Sequence, residues 1–397
     1  MLVLQTNCGA LAKPLQAVAG VVEKKGINPA VSDIVLISFA DGRSEFTGSD
    51  TEIEIRSSGP DSETDRPLSF TVNHKRLLDT IRSYSESDAC SLDYNPDEGV
   101  ARLRAGKGVF DFRTGSAEDF PLMRVEDARV ATSFSIKRNV FRNLLSQVQY
   151  AVAPNEVRFY FTGVCMEILG NELTLVATDS CRLCMASAEM DSVSLGETVD
   201  LGDRRRYRKQ YDEQMLLSRK TVTELLKALD PSDESPLEVE LLTNSMARFR
   251  LDGHVMLSKL LKAEFPNFKS VLPPEVTESF DASREKLVSA IHRAANFVAD
   301  AQKKLVRLEV SPGIVKVIGV NEQNEMAEDG IDVAYQGRSF TFNFQANYLR
   351  EILVNAQNCD DVRLEFFLQG DDARAKLSVR QPQMPSFMGI VTPYFAS

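Results

Sequence analysis

The feature that most constrains the fold of this chain is an internal triplication. A helical pattern with apolar residues at three- and four-residue steps, typical of a helix with one buried face, occurs three times. Its copies are GALAKPLQAVAGVV at 9–22, NVFRNLLSQVQYAV at 139–152 and REKLVSAIHRAANFV at 284–298. A second pattern, with a polar start and a paired apolar step, occurs at 72–84, 217–229 and 344–356. The chain is therefore predicted to repeat one unit three times.

Strand patterns lie between and after the two helices of every unit. Hairpin turns are predicted at Asp41-Gly42, Gly170-Asn171 and Pro312-Gly313. AEDFPLM at 117–123 and AEFPNF at 263–268 mark the ends of the first two units. We therefore predict an α+β chain of three domains with limits 1–123, 124–273 and 274–397. Three unrelated α+β domains of similar rhythm are the alternative.

The charge of the chain is unevenly distributed. The formal net charge is −11, which should repel nucleic acid at long range. The six predicted helical segments nevertheless hold 18 Lys and Arg against 6 Asp and Glu; they are 9–25, 73–84, 135–152, 218–229, 283–304 and 345–357. This segregation predicts one basic helical surface suited to sequence-independent phosphate contacts. The alternative is a set of solvated helix faces built from good helix formers.

Several classes of protein have little support in the sequence. No apolar run approaches 18 residues, the first 15 residues do not read as a secretion signal, and six scattered cysteines are typical of reduced thiols, so a cytoplasmic protein is expected. No GxSxG, HExxH, Walker or GxGxxG motif occurs. Cys181 and Cys184 form a CxxC without a second pair, and a metal or redox role is the less favoured interpretation. A metal-dependent nuclease is kept as the alternative function.

Four segments carry a resemblance to a known family. They are VRFYFTGVCMEI at 157–168, LTLVATDSCRLCMA at 173–186, AEFPNFKSVLP at 263–273 and the terminal GIVTPYFAS. In this order they resemble the bacterial DNA polymerase III β subunit, the sliding clamp, along essentially the whole chain. The resemblance implies three clamp domains in a head-to-tail homodimeric ring, with helices inside and antiparallel sheets outside, that performs no catalysis.

The resemblance also implies partners and sites. The partners are double-stranded DNA, a second copy, the polymerase III α subunit, the clamp loader and other proteins with clamp-binding peptides, with no membrane, metal or cofactor. Family position assigns Lys24, Lys25 and the region 155–160 to DNA contact. The residues predicted to contact DNA in the bore are Lys24, Lys25, Lys137, Arg138, Arg142, Asn155, Phe159, Tyr160, Lys220 and Lys227.

The remaining predicted sites also follow from the resemblance. The peptide-binding cleft would comprise Arg158 and Phe161 on a VRFYF strand, with Thr178, Ser180, Arg182, Leu183, Pro266, Val271, Tyr348, Ile390, Thr392, Pro393 and Tyr394. The dimer interface would place Lys107, Phe110 and Phe112 on an edge strand against Phe297 and Val298, with Lys107 facing Glu325 or Glu328.

Two departures from the family pattern bear on specificity. The family commonly has Gly-His where this chain has Ser180-Cys181, and methionines where it has Thr392 and Tyr394. The peptide preference of the cleft is therefore open, and a divergent plasmid or phage-type clamp is a narrower alternative. The basic run at 204–209 is predicted to lie on a loop of the second unit, where it would bind single strands or remain a solvated loop.

Overall fold

The computed structural model describes residues 1–22, 32–154, 156–195, 214–272, 275–298, 304–356, 359–368, 376–381 and 384–394. Within them the helices are α1 (Cys8–Val18), α2 (His74–Arg82), α3 (Arg138–Val148), α4 (Arg219–Ala228), α5 (Arg284–Phe297) and α6 (Ala346–Asn355). Short 3₁₀ turns lie at Gln149–Ala151, Phe159–Thr162 and Phe268–Val271. No helix in this described part is long and apolar enough to cross a membrane.

The strands follow one order in all three domains, and the second domain has one additional strand, β13, which pairs with β9. The first domain has β1 (Leu2–Asn7), β2 (Ile34–Ala40), β3 (Arg43–Ser49), β4 (Ile53–Asp61), β5 (Leu68–Asn73), β6 (Ala89–Asn95), β7 (Val100–Ala105) and β8 (Gly108–Gly115). The second has β9 (Val130–Lys137), β10 (Gly163–Leu169), β11 (Glu172–Thr178), β12 (Arg182–Glu189), β13 (Ser192–Leu195), β14 (Gln214–Ser218), β15 (Pro236–Leu242), β16 (Met246–Leu251) and β17 (His254–Lys259). The third has β18 (Glu278–Ser283), β19 (Leu305–Ser311), β20 (Ile314–Val320), β21 (Met326–Asp332), β22 (Phe340–Gln345), β23 (Asp361–Phe367), β24 (Lys376–Gln381) and β25 (Met384–Val391).

Each helix starts directly after a strand, and short polar side chains fix several of these starts. The side chain of Asn7 accepts a hydrogen bond from the backbone N–H of Ala10 at 2.8 Å, and that of Asn73 accepts one from the backbone N–H of Arg76 at 2.9 Å. Ser218 and Ser283 do the same for α4 and α5. Such caps satisfy amides that have no partner inside the helix, which is why the helices begin at these positions.

Every domain contains the same two sheets. One sheet has the order β1-β6-β7-β8, repeated as β9-β15-β16-β17 and β18-β23-β24-β25. The other has the order β5-β2-β3-β4, repeated as β14-β10-β11-β12 and β22-β19-β20-β21. The predicted triplication and the α+β fold class are therefore confirmed.

The domains are joined by continuous strand pairing. At the first junction β4 pairs antiparallel with β17, from His254 opposite Ser57 to Ser258 opposite Ile53. At the second junction β12 pairs antiparallel with β25, from Arg182 opposite Val391 to Ala186 opposite Phe387. A backbone ladder across each boundary makes the domain arrangement part of the fold.

The helices pack in pairs against the sheets. α1 contacts α2, α3 contacts α4 and α5 contacts α6. The apolar positions of the helical repeats are buried, as Leu11, Leu15 and Val18 illustrate in α1. A smaller cluster, separate from the main core, contains Phe265 and Phe268 from the AEFPNF segment.

Some local predictions are confirmed and others are wrong. The three hairpins lie where predicted, and Asp41, Gly42, Gly170 and Gly313 take the positive φ that tight turns require. α1 ends at Val18, short of the predicted end, and α5 ends at Phe297. The VRFYF segment is a 3₁₀ turn rather than a strand.

Candidate functional site

A cleft of about 290 Å³ lies at the junction of the second and third domains. Its walls come from the 3₁₀ turn at 159–162, the turn at 178–182 with the start of β12, the loop at 265–271, and strands β24 and β25. The lining residues are Phe161, Thr178, Ser180, Cys181, Arg182, Leu183, Phe265, Pro266, Asn267, Phe268, Val271, Lys376, Ile390 and Thr392. Most of these side chains are apolar, so the cleft is suited to one or two apolar side chains of a ligand.

The turn at 178–182 is held by its own polar groups. The Asp179 carboxylate accepts hydrogen bonds from the backbone N–H groups of Cys181 and Arg182, both at 3.0 Å. The Thr178 hydroxyl donates to the carbonyl of Arg182 at 2.6 Å. Ser180 has a φ of +77°, a strained conformation for a residue other than glycine. The ATDSCRL sequence thus encodes a rigid wall of the cleft.

Arg182 lies beneath the cleft and connects the two domains. Its guanidinium contacts Asp179 at 3.0 Å in the second domain and forms a short ion pair with Glu351 on α6 of the third. It also lies 4.5 Å from the ring centre of Tyr348. Burial alone would lower the pKa of Arg182, but Glu351 and Asp179 more than offset that effect and leave it raised. The side chain is 8% exposed, so its charge is almost wholly compensated inside the protein.

Nine of the predicted cleft residues line the cavity and four do not. Arg158 stacks on Phe161 at 4.6 Å and pairs with Glu156, beside the cleft. Tyr348 lies behind Arg182, Pro393 is buried, and the Tyr394 amide donates to the Asn343 carbonyl. Sequence reasoning missed five lining residues: Cys181, Phe265, Asn267, Phe268 and Lys376. The first four belong to motifs already singled out, whereas Lys376 carries no local signal.

The helices present a basic surface that only partly matches the predicted one. Lys227 pairs with Glu224 at 2.8 Å, yet its side chain is 63% exposed and lines, together with Lys13 of α1, a depression of about 600 Å³ at the junction of the first two domains. Arg142 donates to the Leu229 carbonyl at the end of α4, and Lys137 pairs with Glu234 at 3.0 Å. Further exposed cations on the helices, counted in the predicted basic surface but not singled out as DNA contacts, are Lys13, Lys75, Arg76, Arg82, Arg219, Lys286 and Arg293.

Ion pairs bear on two predicted DNA contacts, and one of the two needs correction. Arg138 is 9% exposed in its side chain and is bound by Asp233 and Asp252, so it braces the loops beside α3 and is not available to phosphate. Lys220 forms an ion pair with Asp50, whose side chain is only 3% exposed, and so supports the contact between the first two domains; its own side chain is 39% exposed, and its contact with DNA stays a prediction. The sequence could not reveal these carboxylates because they are distant along the chain.

Other predicted DNA contacts have a different status. Phe159 is 70% exposed, and Tyr160 packs against the smaller apolar cluster next to the cleft. Lys24, Lys25, Asn155 and the basic run at 204–209 lie outside the described residues. The contact of all these residues with DNA stays a prediction.

Strand β8 in the first domain and β21 in the third occupy the free ends of the domain series. β8 pairs with β7 on one side and, on the other, meets β5 only through Thr114 and Gly115, so 108–113 have no strand partner there in the described part of the chain. Among the residues described, β21 pairs only with β20. Val109 is 54% exposed and Met326 is 59% exposed.

The predicted dimer residues are distributed unevenly around these edges. Phe112 and Val298 are buried in the core of their own chain, so they cannot meet a second chain as predicted. Phe110 is half-buried against Tyr84, and Phe297 is 40% exposed. Successive side chains of a strand point to opposite faces, so Phe112 points inward while its neighbours point outward. The apolar residues alone did not determine which face would be buried.

The cysteine pair has no arrangement suited to metal or redox chemistry. Cys181 is exposed at the cleft, whereas Cys184 is buried on β12 and donates to the Tyr150 hydroxyl at 2.8 Å. Burial raises the pKa of Cys184 to about 12, so it stays a thiol near neutral pH. No group of three or more His, Cys, Asp or Glu residues that could hold a metal occurs among the residues described.

Comparison with known proteins gives consistent matches along the chain. Models of the DNA polymerase III beta subunit match in three parts: the N-terminal domain at 3–124, the central domain at 135–201 and the C-terminal domain at 269–382. The beta sliding clamp of Pseudomonas aeruginosa is 30% identical over 345 residues, covering 87% of this chain and 88% of that protein. The beta sliding clamp of Haemophilus influenzae is 29% identical over 354 residues, covering 89% of this chain and 90% of that protein.

Solved structures give the same result. A crystal structure of the DNA polymerase sliding clamp from Pseudomonas aeruginosa has a TM-score of 0.86 at 26% identity and covers both chains completely. The sliding clamp from Bacillus subtilis, at 20% identity and a TM-score of 0.85, shares the fold. These matches give no support to the metal-dependent nuclease considered from the sequence.

Proposed function

The chain belongs to the bacterial DNA polymerase III β subunit family and is a DNA sliding clamp, and we propose that two copies join head to tail through β8 and β21 to close the ring. As a member of this family it acts in DNA replication and catalyses no reaction of its own. The observation that carries the proposal is the repeated strand junction, which the chain makes twice and leaves incomplete at both ends.

Equivalent strands meet at both internal junctions. β4 and β12 hold the same place in their domains, and each pairs with the strand equivalent to β8 in the next domain. By this rule β21 requires a partner equivalent to β8, and the β8 of the same chain lies at the opposite end of the series. A second copy supplies it, and the same operation closes the ring because each chain offers both unlike surfaces.

The two edges are complementary in charge and apolarity. β21 carries Glu328, Asp329 and Asp332, of which Glu328 pairs with Lys316 and Asp329 with Arg293 in the same chain. β8 contains Arg113 and is preceded by Lys107. Exposed Val109 and Met326 lie on the two strands and take the roles first assigned to Phe112 and Val298. Antiparallel pairing would also satisfy the free backbone groups of both edges, which otherwise invite uncontrolled association.

The oligomer is tested by sedimentation. Sedimentation equilibrium at micromolar concentration should give a molar mass twice the 44.2 kDa of one chain. Val109→Lys and Met326→Lys should each reduce that mass to the value of the monomer. Val157→Lys, at a residue 89% exposed and away from both edges, is the matched control. A wild-type chain that sediments as a monomer, or edge variants that remain dimeric, would rule out this interface.

Topological retention on DNA tests the ring itself. After ATP-dependent loading by a clamp loader onto nicked circular DNA, the protein should stay bound at a salt concentration that suppresses phosphate contacts. It should be lost when the circle is linearised, because a ring slides off an end. Equal loss from both forms would show ordinary electrostatic binding.

The cleft between the second and third domains is proposed as the binding site for short peptides of the polymerase α subunit, the clamp loader and other clamp-binding proteins. Its apolar lining supports this, since one apolar side chain that becomes fully buried gains about 1.5–3 kcal/mol. Exposed Val271 is a suitable site for a test because its change does not disturb the core.

Val271→Asp should weaken the binding of labelled partner peptides at least tenfold in fluorescence polarisation. Val276→Asp is the matched control, since Val276 is also about half-exposed at 43% but lies outside the cleft. Equal affinities for the two variants would place the peptide site elsewhere.

A further inference from the structure

The cleft contains a cation whose charge the described residues leave uncompensated. Four cationic side chains lie in or beside it: Arg158, Arg182, Lys269 and Lys376. Three of them have carboxylate partners, namely Glu156 for Arg158, Asp179 and Glu351 for Arg182, and Glu167 for Lys269. Among the residues that the structure describes, Lys376 has no such partner. The net positive charge of the cleft therefore lies mainly at Lys376, and a charged ligand would encounter it there.

Lys376 is held at the wall of the cleft by a neutral group. It is the first residue of β24, and its ammonium donates to the backbone carbonyl of Val271 at 2.6 Å. An ammonium has three donors, so this contact leaves two of them for other acceptors. The hydrogen bond also joins β24 to the loop at 265–271, which fixes the ammonium next to the apolar lining.

The surroundings of Lys376 strengthen its attraction for an anion. The side chain is partly buried, and the resulting desolvation lowers its pKa from the ordinary value. The adjoining walls are formed by buried Phe265, Phe268 and Ile390, which bring no opposite charge. Charge pairs in such partly apolar surroundings are less screened than pairs on an open surface.

We propose that Lys376 determines the specificity of the cleft by selecting peptides that carry a carboxylate next to the apolar side chain that fills the pocket. The inference rests on the proposed peptide-binding function of this cleft and names the chemistry that the cleft prefers. The carboxylate belongs either to an Asp or Glu side chain or to the C-terminus of the peptide.

The position of Lys376 in the fold agrees with such a role. The cation comes from β24 in the third domain, whereas most of the apolar lining belongs to the second domain, including its loop at 265–271. A peptide that contacts both parts would be recognised by shape on one side and by charge on the other. A neutral peptide would fill the same pocket but would leave the ammonium with its carbonyl partner alone.

Four versions of one labelled peptide provide the test. Fluorescein-Gly-Ser-Gly-Xaa-Leu-Phe is made with Asp or Asn at Xaa, each with a free or an amidated C-terminus, and its dissociation constants are measured by fluorescence polarisation. The full-length protein is compared with Lys376→Met, Lys376→Glu and Lys376→Arg. Lys259→Met, which removes a lysine paired with Glu52 outside the cleft, is the control.

The wild-type protein should bind one or both carboxylate peptides about three- to tenfold more tightly than the neutral peptide, and higher salt should reduce that preference. The Asp and C-terminal arms identify which carboxylate is recognised. Lys376→Met should abolish the preference, Lys376→Glu should reverse it, and Lys376→Arg should restore it. Lys259→Met should behave as the wild type.

Three results would contradict the inference in different ways. A preference unchanged in Lys376→Met would assign the selection to another residue. An equal loss of affinity for all four peptides would show that Lys376 only holds the loop through Val271. If the wild type binds none of the four peptides, and partner peptides bind Val271→Asp as tightly as they bind the wild type, the proposed function of the cleft fails together with the inference.

Discussion

Replacing Arg182 by Met should loosen the junction of the second and third domains without unfolding either domain. The change removes the partner of Asp179, which is 11% exposed, and of Glu351, which is 41% exposed. Breaking a buried ion pair by removing one partner costs about 3–5 kcal/mol, and the exposure of Glu351 favours the lower end. The methionine retains most of the packing against Tyr348.

The effect should be local because Arg182 is the first residue of β12 and lies opposite Val391 of β25 in the interdomain strand pair. A loss of about 3 kcal/mol corresponds to a roughly 150-fold larger population of the opened junction. Hydrogen exchange of the amides between β12 and β25, at 183–186, should accelerate by about that factor. The amides between β4 and β17, at the other junction, serve as an internal reference and should keep their rates.

Arg158→Met is the matched control for this measurement. Arg158 also forms an ion pair, but its side chain is 48% exposed, so its loss should cost under about 1 kcal/mol. If the two variants accelerate exchange between β12 and β25 equally, the role of Arg182 as an interdomain brace is refuted. Faster exchange at both junctions would instead indicate global destabilisation.

Three further predictions follow from single contacts. Replacing both Lys13 and Lys227 by Ala should reduce the slope of log affinity against log salt for short duplex DNA by about 2; an unchanged slope would remove them from the bore. His74 is buried, its Nε2–H donates to the Leu15 carbonyl, and burial lowers its pKa, so its neutral form stabilises the fold and stability should fall as the pH drops below about 6.5. The urea midpoint of His74→Gln should depend less on pH between 7.5 and 5.5, and an equal dependence would contradict this. Ser180→Gly should relieve the positive φ and raise the free energy of unfolding by about 1 kcal/mol, and a lower melting temperature would show that the φ is not strained.

Much of the fold could be predicted from local sequence. The helical repeats place apolar residues every three or four positions, and burial of one face is a direct consequence of that period. Hairpins such as Asp41-Gly42 form because glycine and aspartate tolerate positive φ. The ends of the helices were less predictable, since α1 stops at Val18 although apolar residues continue to Val22.

Only part of the candidate site could be predicted from the sequence. Motif resemblance found nine lining residues of the cleft, four of them in ATDSCRL, which forms a turn fixed by its own side chains. It missed Lys376, which reaches the cleft from a strand 105 residues beyond Val271. It also counted Arg138 as a free cation, although Asp233 and Asp252 neutralise it from distant loops.

The sequence by itself determined the repeated units, their helices, their hairpins and the family. Only the tertiary structure decided which strand edges pair between domains, which edges stay open, and which charges remain uncompensated. The physical reason is the range of the interactions. Periodicity, turn geometry and capping act between residues a few positions apart, whereas strand junctions and buried ion pairs join residues that are close only after the chain has folded.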